Sequence, residues 1–125
     1  MAARIFLAIA GLSGASAAAF DAAARHLLAG DADRLGLAAT SARYGLIHAA
    51  ALLGIAALLR NGGGRCLLVA GWLFVIGLVL FCGSLDLIIA GAPHSVAMVT
   101  PWGGTALIAG WVAVLVAALM PRRAI

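Results

Sequence analysis

The chain has no lysine, only four acidic residues, and a charged fraction of 10% over 125 positions. A soluble domain this small leaves much of its surface in water, and eight basic plus four acidic side chains cannot cover it. The basic residues, all arginine, form no patch either. They stand singly at Arg4, Arg25, Arg34, Arg43, Arg60 and Arg65, with one pair at Arg122 and Arg123. Arginines that bracket apolar segments act as anchors and topology signals, so the net charge of +4 does not indicate nucleic-acid binding. Cys66 and Cys82 fall on one apolar segment about 24 Å apart, too far to pair with each other. No C-x-x-C or comparable ligand spacing occurs. Neither a Gly-x-Ser-x-Gly elbow nor H-E-x-x-H is present, and Gly62-Gly63-Gly64 lacks a following lysine. These absences argue against an enzyme and call for no cofactor.

What fills the chain is apolar. Hydrophobic residues make up 66% of it, and mean hydropathy is +1.18, both far from the soluble average. Residues 5–20, 66–85 and 103–120 carry no charge, and residues 44–59 carry only His48. A helix rises about 1.5 Å per residue, so crossing a hydrocarbon layer of about 30 Å takes roughly 17–25 residues. The third and fourth stretches reach that length outright. The first two reach it once the flanks 21–28 and 35–43 are counted. The pattern predicts one all-α membrane domain over 1–125, a four-helix transmembrane bundle with helices at about 4–28, 35–59, 66–90 and 100–120.

The first stretch resembles a secretion signal, with a basic start at Arg4 and a small-residue triplet at Ala15-Ser16-Ala17. We expect it to be retained, because the apolar run passes that triplet to Phe20 and continues through Ala22 to Ala24. Asp31 and Asp33 suit the start of the second helix near Asp33 or Arg34. Asn61-Gly62-Gly63-Gly64 breaks the chain, and so short a link makes the second and third helices an antiparallel hairpin. Gly91-Ala92-Pro93 ends the third helix, and Thr100-Pro101 opens the fourth, where proline suits the first turn. One side of the bilayer then receives Arg4, Arg60, Arg65, Arg122 and Arg123, the other Arg25, Arg34 and Arg43. That bias predicts an up-down antiparallel order with both termini cytoplasmic.

Threading the helices this way gathers the chemistry at one end. All three histidines and all four acidic residues fall on the non-cytoplasmic side. His48 and Asp86 lie deepest, where an unpartnered ionisable group is costly. Tyr44 is one turn from His48 and shares its face. We expect His48 to bond Asp86, Ser84 or Thr100, so the candidate cluster is Tyr44, His48, Ser84, Asp86 and Thr100. Three uses are open to it: joining helix ends, holding a small ligand or lipid head group, or holding a metal with His26 and His94. The last has the right side-chain types but no local ligand spacing, so no metal site is assigned. Small residues at Gly14, Gly83, Gly103, Gly104 and Gly110, with Ala50 and Gly54, mark expected close helix packing. Trp72 and Trp102 suit opposite interfaces, and Trp111 suits the core.

Several stretches also resemble a known family. They are Arg43-Tyr44-Gly45-Leu46-Ile47-His48, Phe81-Cys82-Gly83-Ser84-Leu85, Val99-Thr100-Pro101-Trp102-Gly103-Gly104 and Ala109-Gly110-Trp111. Together they are similar to the domain-of-unknown-function 423 family, whose eukaryotic relatives are the transmembrane protein 256-like proteins. The resemblance covers nearly the whole chain. It implies a small four-helix inner-membrane protein with its first segment retained, and it brings no biochemical activity to carry over. Positions that match the family pattern are Tyr44, His48, Gly83, Ser84, Thr100, Pro101, Gly103 and Gly104. Two departures stand out. Relatives usually read Gly-Ala-Phe-Gly-Ala-His at the end of helix one, where this chain has Ala18-Ala19-Phe20-Asp21-Ala22-Ala23 and a later His26. Relatives tend to carry an aromatic after Gly-Ser-Leu, where this chain has Asp86.

The expectation from sequence is therefore a multi-pass protein of the cell inner membrane, structural or accessory in role. Its partners are the bilayer and either copies of itself or a larger membrane complex. The alternative is binding or transport of a small molecule, lipid or metal through the outer polar cluster.

Overall fold

A computed structural model describes residues 1–120 of the chain. Four helices account for most of it: α1 (Ala2–Leu27), α2 (Ala32–Arg60), α3 (Arg65–Ile89) and α4 (Thr100–Leu119), with a 3₁₀ turn at His94–Met98 before α4. No strand occurs among the described residues. Each helix is long and apolar enough to cross a membrane, α4 being counted together with the 3₁₀ turn. Arg122 and Arg123, which weigh in the predicted topology, lie outside the described residues.

Local chemistry sets the helix ends. Asp31, in extended conformation, accepts the Arg34 amide at 3.0 Å and starts α2 at Ala32. The sequence placed that start at about residues 33–35; the cap draws the helix out to Ala32. Gly62 has φ +84°, and the Gly63 amide returns to the Leu58 carbonyl at 2.9 Å. Gly91, at φ +97°, closes α3 in the same manner, with the Ala92 amide on the Leu87 carbonyl at 2.9 Å. Both turns use the left-handed region that glycine enters without strain. Pro101 occupies the first turn of α4, as expected.

Small residues set the packing. Along α1 and α2, Ala24 clusters with Ala38 and Gly14 faces Ala49. A side chain at Gly45 would collide with Ala17 Cβ at 2.9 Å. Between α3 and α4 the fit is tighter still. Gly103 lies against the Phe81 backbone, Gly110 against the Phe74 ring, and Gly77 against Leu107. In lipid, such close approach supplies the dispersion contact that holds helices together. Phe6, Leu52 and Phe74 are fully buried. Phe6 carries α1 onto α3, where its ring meets Trp72 edge-on at 5.4 Å and lies over Gly71. α1 and α4 make no backbone approach to each other among the described residues, so both flank the central α2–α3 pair.

Two glycine expectations need correction. Gly83 and Gly54 meet nothing within 4 Å of where a Cβ would stand. Gly83 opens onto a groove and Gly54 sits on the free face of α2, so neither joins helices. Gly45, Gly71 and Gly77 do that work instead. Helical spacing marks small residues, but it does not say which of them turn toward a neighbour.

Candidate functional site

The α2–α3 seam carries the polar residues inward. Ser41 donates its hydroxyl to Asp86 Oδ1 at 2.6 Å, and Cys82 Sγ approaches the Ser41 carbonyl at 3.4 Å. Across the α3–α4 seam, Ser84 Oγ and Thr100 Oγ1 are 2.6 Å apart, and the Ser84 hydroxyl is also 2.9 Å from the Phe81 carbonyl. Arg34 donates its guanidinium to the Ile89 carbonyl, placing a positive charge on the C-terminal carbonyls of α3.

His48 lies apart from all of these. It is only 3% exposed, and Ser41 is seven residues away on the same helix, a rise of about 10 Å. Its Nδ1 is 2.8 Å from the Tyr44 carbonyl, and its Nε2 is 3.1 Å from Trp111 Nε1. A carbonyl only accepts and an indole N–H only donates. Partner chemistry therefore fixes a neutral ring with its proton on Nδ1 and its Nε2 lone pair taken by Trp111. Phe74 stands edge-on to the ring at 5.1 Å, and Tyr44 stacks near it at 5.9 Å.

The predicted cluster thus separates into three latches: Ser41–Asp86, Ser84–Thr100 and His48–Trp111. The expected bond from His48 to Asp86, Ser84 or Thr100 does not form. His48 sits too deep for it and turns toward α4. Tyr44 packs on Phe81 at 4.5 Å, the rings tilted by 38°, rather than contributing to a polar pocket. Trp111, expected to be a plain core residue, is 46% exposed and supplies the α4 end of the His48 bond. Reasoning from sequence also missed Ser41 and the Arg34–Ile89 contact. Ser41 carries a readable signal, since it is exactly one heptad from His48 on the same helix; nothing local marks Arg34.

The chemical range of this arrangement is narrow. Both nitrogens of His48 are occupied, and Ser84 has no base against it. Among the described residues no three His, Cys, Asp or Glu side chains gather, so His26 and His94 do not join His48 and Asp86. His26 and His94 are both exposed. What remains is a cavity of about 520 Å³, open on one side, lined by Val79, Leu80, Gly83, Ser84, Asp86, Leu87, Val96 and Val99. A smaller groove of about 310 Å³ lies at the opposite end, around Arg65, Cys66 and Val112.

Residues 20–104 match the family model described as a protein of unknown function, DUF423. The chain is 31% identical to the UPF0382 inner membrane protein YgdD of Escherichia coli, over 98% of this chain and 95% of that one. It is 34% identical to a UPF0382 membrane protein of Haemophilus influenzae, covering 86% and 87% of the two chains. Against the UPF0382 membrane protein YwdK of Bacillus subtilis it is 36% identical over 64% of this chain and 66% of that one. No solved structure matches the chain.

Proposed function

The chain belongs to the DUF423 family of small membrane proteins, and from that premise we propose that it works as a structural or accessory subunit of the inner membrane, not as an enzyme. One observation carries this reading. The polar side chains turned into the bundle are spent on bonds between or within helices, and no buried side-chain polar atom among the described residues lacks a partner. A site built for chemistry keeps a lone pair or a proton available. Inside this bundle neither is left over; the Asp86 Oδ2 without a donor lies outside, on the wall of a groove. Its unspent features are outward ones: broad apolar faces, two open grooves and single arginines.

The same reading gives the helices an antiparallel up-down order with both termini cytoplasmic. Support comes from the seam contacts, which join the early part of one helix to the late part of its neighbour, as in Ser41 of α2 with Asp86 of α3 and Thr100 of α4 with Ser84 of α3. The described arginines divide evenly, Arg4, Arg60 and Arg65 at one end and Arg25, Arg34 and Arg43 at the other, so the cytoplasmic placement of the termini rests on Arg122 and Arg123 in the sequence. A second reading draws on the larger groove: an apolar wall beside Ser84 and Asp86 suits a lipid or another small amphiphile.

Native mass spectrometry from mild detergent separates these readings. A second subunit travelling with the chain supports the subunit role. A monomer carrying a lipid or small molecule favours the binding role, and a bare monomer counts against both. Reporters on the two termini that give opposite compartments would overturn the topology.

A further inference from the structure

The larger groove and the free face of α2 complement each other in depth, charge and shape. Deepening the subunit reading, on which it rests, we propose that they form one interface between copies of this chain, with Arg43 of one copy entering the groove between α3 and the 3₁₀ turn of the next and pairing with its Asp86.

Depth is fixed by the seam between α2 and α3. Ser41 bonds Asp86 at 2.6 Å, and the Tyr44 ring packs against that of Phe81 at 4.5 Å, so these pairs are level. Arg43 lies two residues beyond Ser41, a rise of about 3 Å, which an arginine side chain spans easily. Gly83, between Phe81 and Asp86, shares that level. It leaves open space where a side chain would stand, at the same height as the arginine.

Charge gives the reason to associate. The ion pairs among the described residues are Asp21–Arg25 and Asp31–Arg34. Among the described residues Arg43 is exposed with no acceptor, and Asp86 has the Ser41 hydroxyl on Oδ1 and no donor on Oδ2. They cannot meet within one copy. Ser41 faces α3, and Arg43, two residues on, is turned away by about 200°. Arg43 is also about 25 Å along α2 from Arg60, close to the far edge of a 30 Å hydrocarbon layer. At that level the arginine is an anchor whose charge reaches the head groups, and a carboxylate at the same level adds a pairing of opposite charges between copies.

Shape agrees. Arg43 heads an outward stripe with Ile47, Ala50 and Gly54, all exposed, and Gly54 meets nothing within 4 Å. Small residues there let a neighbouring helix come close. The groove, at about 520 Å³, has room for the arginine and an adjacent Leu46 or Ile47 between the walls of Leu80, Leu87 and Val99. Because ridge and groove are different surfaces, the contact is head-to-tail. Copies sharing one membrane orientation repeat it about the bilayer normal, which allows a closed ring.

The test uses the full chain as donor- and acceptor-labelled fluorescent fusions, reconstituted into phosphatidylethanolamine–phosphatidylglycerol vesicles at varied protein-to-lipid ratios. Wild-type copies are expected to show energy transfer that rises with that ratio. Asp86→Asn keeps an acceptor for Ser41 but loses the charge, and is expected to weaken association roughly tenfold. Arg43→Asp and Asp86→Arg, each alone, are expected to lose transfer. Mixed together they are expected to regain it, because every contact between unlike copies then joins opposite charges. Regained transfer also shows that both variants are folded. Single variants that associate like wild type, or a mixture that stays dark, overturn the interface. Wild type without transfer, but with a different protein retained in native mass spectrometry, overturns the interface and leaves the subunit reading standing. Wild type without transfer and with nothing retained overturns both.

Discussion

Changing Trp111 to Phe removes one N–H and little of the surrounding packing. The Trp111 ring lies 5.0 Å from Phe74, and a phenyl ring keeps that contact. What is lost is the 3.1 Å bond to His48 Nε2, on a residue only 3% exposed. Interhelical hydrogen bonds in membrane proteins contribute about 0.6 kcal/mol on average and up to about 1.7. A buried acceptor left without a donor costs about 1–3 kcal/mol. His48 keeps its Tyr44 bond, so the lower part of that range applies, and Trp111→Phe is expected to destabilise by about 1–2 kcal/mol. His48→Ala loses the same bond and also the imidazole packed against Phe74, and is expected to cost about 2–4 kcal/mol. The double variant is then expected to cost about 1 kcal/mol less than the sum of the two. Titration of the micelle-solubilised protein with a denaturing detergent, followed by near-ultraviolet circular dichroism, measures all three. A coupling indistinguishable from zero would refute the latch, and with it the assignment of the proton to Nδ1. If His48 instead served a ligand, its replacement would remove binding from a protein that melts normally.

Two further substitutions test the helix contacts. Gly103→Ala puts a Cβ 2.8 Å from backbone atoms of Leu80 and Phe81, so α4 must move off α3, and a loss of about 1–3 kcal/mol is expected in thermal unfolding. Gly83→Ala meets open space and is expected to be neutral or to stabilise by up to about 1 kcal/mol, since alanine is the better helix former; equal costs for the two would mean that α4 is set in the wrong register on α3. Asp31→Ala removes the acceptor of the Arg34 amide and is expected to cost about 1 kcal/mol, with faster hydrogen exchange in the first turn of α2. Asp31→Asn should keep both stability and protection.

The helices were readable from sequence because lipid imposes a simple length rule on apolar runs, and all four follow it. Their ends were readable where the chemistry is local, as at Gly62 and Pro101. The start of α2 was legible in Asp31, the capping residue, while the apolar run itself begins only at Leu35. The polar cluster was half legible. Ordering the residues by depth put Ser84, Thr100 and Asp86 at one end, where Ser84 meets Thr100 and Asp86 meets Ser41 of α2. It did not give the partners, because a bond between helices depends on rotation about each axis as well as on height. Ser41, Cys82 and Asp86 turn toward one seam and Arg43 turns away from it, whereas His48 shares the face of Ser41 but lies two turns deeper, where Trp111 of α4 reaches it.

That difference between height and rotation also explains why the bundle has an unfinished side. Polar groups facing a seam find partners inside the chain, and those bonds fix the register of α2 against α3 and of α3 against α4. Arg43 shares their height but not their orientation, so the forces that align the seams leave it outside. The Ser41–Asp86 bond has a further effect: it holds the carboxylate at a set depth on the rim of a groove. A charge held in place costs less to pair than one that must first be ordered. The internal latch and the outward interface are therefore linked, and Ser41→Ala, which touches no partner copy, should weaken association between copies as well as the α2–α3 seam. Association unchanged in a Ser41→Ala protein whose seam is measurably weaker would break that link.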